Sequence, residues 1–200
     1  MNDYDSIAAR YDFLVPENYR MVRAKGLFDQ GSQTELFLTD LYWLSTEAIA
    51  NYQPLPFQIK GLVPFACTAR RDLFCWYPSW ATERDVPVTF CPRDDENAAC
   101  YASDFIAFLY RILLEEFSGS WLVESLGAKG TTERFRRYAT DVGEFLPHDW
   151  AITLQELSNL PLTKLDEGVY GVMDRKKCNE LIEAALSFPR LNKEFKHYVR

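Results

Sequence analysis

The residues able to do chemistry are few and scattered: His148, His197, five cysteines and a run of carboxylates, Asp94-Asp95-Glu96. A catalyst needs an activated group within reach of a partner. His148 follows Pro147 at an expected helix end and His197 stands close to the last residue, so both are expected to be exposed and neither is poised as a general base. No P-loop, GxGxxG, GxSxG or HExxH pattern occurs. Cys67, Cys75, Cys91, Cys100 and Cys178 form no CxxC pair and have no histidine near them in sequence, which argues against a zinc site. Their odd number, with no secretory leader at the start, points to buried free thiols in a reducing, cytoplasmic setting. Successive carboxylates in a turn point in different directions, so a solvated turn is expected at 94–96 and not a cation loop. On these grounds no catalytic residue, no metal and no cofactor is assigned.

Other residues suit recognition. Trp76, Tyr77, Pro78 and Trp80 end an expected strand in a dense aromatic cluster, which reads first as core packing with a rigid loop and second as an interface anchor, since Trp and Tyr dominate binding hot spots. The net charge is −7. Residues 1–119 hold 10 Lys/Arg against 17 Asp/Glu, and residues 120–200 hold 12 against 12, so along the sequence all the acidity falls in the first part. Nucleic-acid binding needs clustered cations, and Arg70-Arg71 reads as a solvated hairpin tip, so nucleic acid is not expected; the acidity serves solubility first and attraction of a basic partner second. The longest strongly apolar segment, 105–114, is too short to cross a bilayer, so no membrane contact is expected.

These residues need a scaffold, and the pattern outlines one. Tyr4, Ile7, Tyr11 and Leu14 recur at helical spacing, and a second helix is expected after Pro16, with Val22 on its inner face and Gly26 at its end. A strand is expected at 36–39 and a helix capped by Ser45 or Thr46 after it. Segments 62–66 and 73–77 read as a hairpin around the polar 68–72 stretch, followed by a strand at 86–91 that Pro87 places at an edge or opens. Ser103 is the expected N-cap of a helix with Phe105, Phe108, Leu109, Ile112 and Leu113 on one face. Beyond Gly119 the pattern predicts a helix over 132–146, a strand or short helix at 150–157, a strand at 168–173 and a helix capped by Asp174. The fold class is therefore α+β, an antiparallel-rich sheet flanked by helices in residues 1–119 with a mainly helical extension in residues 120–200.

The order of these elements resembles the SUKH superfamily of cell-wall regulators and bacterial immunity proteins. Val15-Pro16-Glu17-Asn18-Tyr19 with Gly26 looks like its opening helix, and 36–44 like its next strand. Leu62-Val63-Pro64-Phe65-Ala66 resembles the "I/L-P-F-A" strand, Asp72-Leu73-Phe74-Cys75-Trp76 the strand after it, and Tyr101-Ala102-Ser103-Asp104-Phe105 the start of the closing helix. The resemblance covers residues 10–118. The family has glycines in the hairpin turn, whereas 68–71 has none.

What the resemblance implies is a non-catalytic immunity protein that neutralises a toxin, such as a nuclease, by direct binding. The expected contact region gathers Asp72, Trp80, Glu83, Asp85, Asp94, Asp95 and Glu96, and the expected partner is a basic toxin domain. Two rival readings are a regulatory interaction scaffold, in which 120–200 binds another protein, and an enzyme with a carboxylate cleft. A deep pocket holding a carboxylate of raised pKa is the mark of the last.

Overall fold

Strand pairing and helix capping follow the local chemistry closely in the first half of the chain. The structure is a computed structural model, and it describes residues 4–29, 36, 38–54, 58–82 and 85–198. The first unit comprises Met1–Ala24, Asp40–Phe108 and Phe188–Arg200, and the second Lys25–Thr39 and Leu109–Ser187. Helices α1 (Asp5–Tyr11) and α2 (Glu17–Ala24) are followed by strand β1 (Tyr42–Trp43) and helix α3 (Thr46–Asn51). Strands β2 (Val63–Cys67), β3 (Leu73–Trp76), β4 (Val88–Cys91) and β5 (Asn97–Ala102) come next, with a single 3-10 turn at Pro78–Trp80. Helix α4 (Phe105–Phe117) begins in the first unit and ends in the second. The second unit adds α5 (Leu122–Gly143), α6 (His148–Ser158), the hairpin β6 (Thr163–Asp166) and β7 (Val169–Gly171), and α7 (Arg175–Leu186). Strand β8 (Glu194–Lys196) belongs to the first unit again.

The fold is α+β. Six strands form one sheet in the order β1-β2-β3-β4-β5-β8, every pair antiparallel. Pro64 sits in β2 without breaking a ladder, because β1 reaches only Ala66 and Cys67 and leaves no strand asking for the missing N–H. Thr68 closes the β2–β3 turn: its hydroxyl accepts from the Asp72 amide (3.1 Å), and its carbonyl accepts from the Arg71 amide (2.9 Å). Arg71 takes the left-handed conformation there (φ 68°), which explains how the turn closes without a glycine.

Side chains alternate across β3 and both faces are covered. On one face Trp76 meets Phe65 (ring centroids 4.5 Å), Tyr19 (4.9 Å) and Phe13 (5.5 Å), while Phe108 meets Phe65 and Phe74 at 5.1 Å each. On the other face Leu73 and Cys75 pack with Cys91 and Ala98, under Tyr52, Leu62 and Phe195. The unbroken apolar run Leu73-Phe74-Cys75-Trp76 is what a strand buried on both sides requires.

In the second unit Phe117 stacks on Phe135 (4.4 Å) and Tyr110 on Trp150 (4.7 Å). Phe135, Tyr138, Ala139 and Val142 form the buried face that their spacing predicts. Strand β7 is bound to the end of α4, with Ser120 and Tyr170 exchanging backbone hydrogen bonds. A Cβ on Gly171 would stand 2.8 Å from the Phe117 carbonyl, so only glycine allows that approach.

Several expectations need correction. The strand expected at 36–39 is reduced to a bridge at Leu38, with Phe37 outside the described residues; the ladder begins at Tyr42. Strand β4 is interior and starts after Pro87, so the edge alternative fails. The cap of α4 is Asp104, which accepts from the Ala107 amide at 2.9 Å, while Ser103 donates to Asp104. Segment 150–157 is helical, and α5 starts earlier than 132, with a break at Gly127 (φ 68°). Strands β5, β6 and β8 were not expected. The spatial division also differs from the one drawn at residue 119: 25–39 belongs with the second unit, and the end of the chain returns to the sheet.

Candidate functional site

The seven residues singled out for recognition do not converge. In an antiparallel meander the β2–β3 and β4–β5 turns lie at one end of the sheet, and the β3–β4 connection at the other. Asp72, Asp94, Asp95 and Glu96 therefore stand at the first end, Trp80 and Asp85 at the second, separated by the length of β3, about 13 Å at ~3.3 Å per residue. Glu83 lies outside the described residues.

Those at the first end are largely engaged in holding the turns. Asp72 accepts from the Thr68 hydroxyl and from the Arg93 amide, both at 2.9 Å, tying one turn to the next. Asp95 accepts from the Asn97 amide (2.8 Å), and Glu96 pairs with Lys196 at 3.1 Å. Arg70, Arg71 and Arg93 share these turns, so the acidic run sits among cations. Trp80 packs on Tyr77 (4.8 Å) and Phe195 (4.9 Å), with Arg190 above its ring and donating to its carbonyl at 3.0 Å. It is a half-buried packing residue.

Regrouping charge by space changes the sequence picture. The first unit holds 12 Lys/Arg against 14 Asp/Glu, net −2, and the second 10 against 15, net −5. The basic tail, Arg190, Lys193, Lys196 and Arg200, belongs to the sheet unit and nearly neutralises it.

One acidic feature survives. At the second end of the sheet a hollow of about 340 Å³ is lined by Glu17, Asp85 and Asp104, and by no cation among the described residues. The apolar part of its lining includes Leu14, which is 83% exposed. Two of these acids have a local cause: Glu17 lies in the first turn of α2 and Asp104 caps α4, where carboxylates meet the positive ends of helix dipoles. Leu14 belongs to the helical pattern of Tyr4, Ile7 and Tyr11. Asp12, in the left-handed region (φ 49°), ends α1 first and turns Leu14 to solvent. The spacing alone gave no sign of that early stop.

The groups that could do acid–base chemistry lie elsewhere. His197 is fully buried, contrary to expectation: it follows β8, its amide donating to the Glu96 carbonyl and its carbonyl accepting from the Ile59 amide. Its Nε2 donates to the Asp95 carbonyl at 2.8 Å, and burial holds its pKa below the usual 6.5. His148 is exposed at the start of α6. Glu116, in the second unit, is buried and its pKa is raised by that burial, but its oxygens are occupied. It accepts from the Thr39 amide (2.9 Å), the Thr39 hydroxyl (2.6 Å) and the Ser120 hydroxyl (2.5 Å). It lines neither of the two described hollows. Cys75, Cys91, Cys100 and Cys178 are buried free thiols and Cys67 is half-buried; burial pushes the Cys75 thiol well up, which disfavours the reactive thiolate. No group of His, Cys, Asp and Glu among the described residues is arranged to hold a metal ion, and no helix is long and apolar enough to cross a membrane.

The fold thus defines an α+β protein with a six-stranded antiparallel sheet, mixed in charge at one end and with an acidic hollow at the other. Comparison with family models, curated proteins and solved structures returned no match.

Proposed function

We propose that the chain is a non-catalytic binding protein of the immunity type, which neutralises a toxin by docking on it through the acidic hollow of Glu17, Asp85 and Asp104 and the exposed Leu14. The observation that carries this reading is a concave lining with three carboxylates and no cation among the described residues, beside a large apolar side chain held in water. A protruding Lys or Arg of a basic toxin domain fits the carboxylates, and Leu14 supplies an apolar anchor at the rim. The order of motifs shared with the SUKH superfamily supports the same reading. The acidic run at 94–96 contributes less, since Arg93 and Lys196 screen it.

The test is association with the product of the neighbouring gene, sought there as a basic toxin domain, followed by stopped-flow at several salt concentrations. Glu17→Lys with Asp85→Lys is expected to slow association about tenfold at low salt and to flatten its salt dependence, as removal of electrostatic steering does. Asp94→Lys with Asp95→Lys is expected to change it less than about twofold, a contrast that follows from local screening. Unaltered kinetics in the first pair, or no complex with the neighbouring product, overturns the proposal.

A further inference from the structure

The opposite end of the sheet carries a second hollow, of about 390 Å³, on the face away from the aromatic core. Leu73 and Cys91 from adjacent strands form its floor, Leu44 and Ala48 one side, and Arg71 and Arg93 contribute to its lining from the two turns. Its volume falls at the small end of ligand sites, which run from roughly 300 to 1,000 Å³. Its phenols are engaged internally: the Tyr52 hydroxyl donates to Gln58 Oε1 at 3.3 Å, and that of Tyr198 to the Arg93 carbonyl. The guanidinium groups are different. Among the described residues neither Arg71 nor Arg93 has a carboxylate within ion-pair distance. Both turns are held rigidly, because Asp72 bonds the Arg93 amide and the Thr68 hydroxyl at once. Arg71 sits there in a left-handed conformation (φ 68°) that an arginine adopts at a cost glycine would avoid.

We infer that this hollow binds a small molecule with a compact apolar body and a single anionic head, the body on Leu73 and Cys91 and the head between Arg71 and Arg93. The chemistry of the lining selects it. Two planar cations with no carboxylate at ion-pair distance among the described residues match a carboxylate or phosphate in bidentate geometry, while the floor offers only methyl groups and thiols. An uncharged body leaves the guanidinium groups unused, and a bare anion leaves the floor wet. The site is separate from the acidic hollow and independent of the proposed docking.

Fluorescence titration of the full chain with 2-naphthoate tests the inference, with 2-naphthyl phosphate, 2-naphthylmethanol and acetate as comparisons. Saturable 2-naphthoate or 2-naphthyl phosphate binding below about 1 mM is expected, and the tighter of the two names the head group. The alcohol is expected to bind about tenfold more weakly or worse, since a charge-assisted hydrogen bond is lost. Arg71→Gly keeps the left-handed turn while removing the cation, so it should melt no lower than the parent and bind about tenfold more weakly. Ala48→Phe, at an exposed position of α3, should block the hollow without lowering the melting temperature. Glu17→Lys with Asp85→Lys should leave naphthoate binding unchanged, which separates this result from the docking test. Absence of saturation by either anionic naphthyl compound at several millimolar overturns the inference, as does equal affinity for the Arg71→Gly/Arg93→Ala pair or for Ala48→Phe.

Discussion

Glu116 offers the sharpest test of how the second unit is held, because its three short hydrogen bonds join 25–39 to the end of α4. In Glu116→Ala the Thr39 and Ser120 hydroxyls, already 3.2 Å apart, can turn to each other. The Thr39 amide cannot, and a part-buried N–H left without its partner costs up to ~1–3 kcal/mol. The lost side-chain packing adds about 1 kcal/mol, and release of a desolvated carboxylate returns part of it. A net loss of about 1–4 kcal/mol follows. Glu116→Gln keeps an acceptor for the hydroxyls but sets an NH2 group against the Thr39 amide, for a smaller loss of ~1–3 kcal/mol. The pH dependence gives a second handle. Burial raises the carboxyl in the folded state above its usual 4.5, so the folded chain holds the proton over a window where the unfolded chain has released it. The stability contributed by Glu116 is full below that window and declines as pH rises through it, and Glu116→Gln should remove that decline. Urea unfolding followed by circular dichroism, from pH 4.5 to 8, measures both. A Glu116→Ala protein within about 0.5 kcal/mol of the parent would refute the reasoning, since no donor could then have been stranded.

Two further outcomes follow from burial. His197 has the opposite sign to Glu116: its folded pKa lies below 6.5, so the unfolded chain takes up the proton first and stability falls as pH drops from about 6.5 towards that lower value. His197→Gln should flatten that acid slope in thermal melts read between pH 5 and 7, and an unchanged slope would show that other groups set it. Trp76, fully buried between Phe65 and Tyr19, should cost ~3–5 kcal/mol as Trp76→Ala. Its indole N–H has no partner among the described residues, so Trp76→Phe should recover most of that loss, and urea midpoints for the two variants should differ clearly.

Much of the fold was legible because its signals are local. Ser45 accepts from the Ala48 amide, Asp174 from the Lys177 amide, and the buried face of α4 repeats at helical spacing. What escaped were strands with little apolar content of their own. Strand β8, Glu194-Phe195-Lys196, carries a single apolar residue and is held by pairing with β5, a long-range contact that no sequence window displays. Strand β6, Thr163–Asp166, is exposed along its length and exists because β7 pairs with it. His197 escaped for the same reason: nearness to the end of a chain suggests fraying, yet long-range backbone bonds to Glu96 and Ile59 hold it in a buried position. The candidate site was partly visible. Asp85 was singled out, whereas Glu17 and Asp104 read as helix-terminal acids, and only the tertiary structure places them with Asp85 around one hollow.

The distribution of charge carries the strongest lesson about function. Counted along the chain, acidity belongs to 1–119; counted in space, the sheet unit is near neutral, because a basic tail returns to it. Bulk charge therefore cannot draw a basic partner to this unit over long range at physiological salt, where screening acts within about 8 Å. Any electrostatic selectivity must come from short-range arrangement: among the described residues, three carboxylates line one hollow with no cation beside them in its lining, and two guanidinium groups line the other with no carboxylate at ion-pair distance. Helix ends account for two of the acids, and two tight turns account for both arginines. Removing the tail's cations should thus raise the acidity of the whole unit without sharpening either hollow, whereas single substitutions inside them should change recognition at nearly constant net charge.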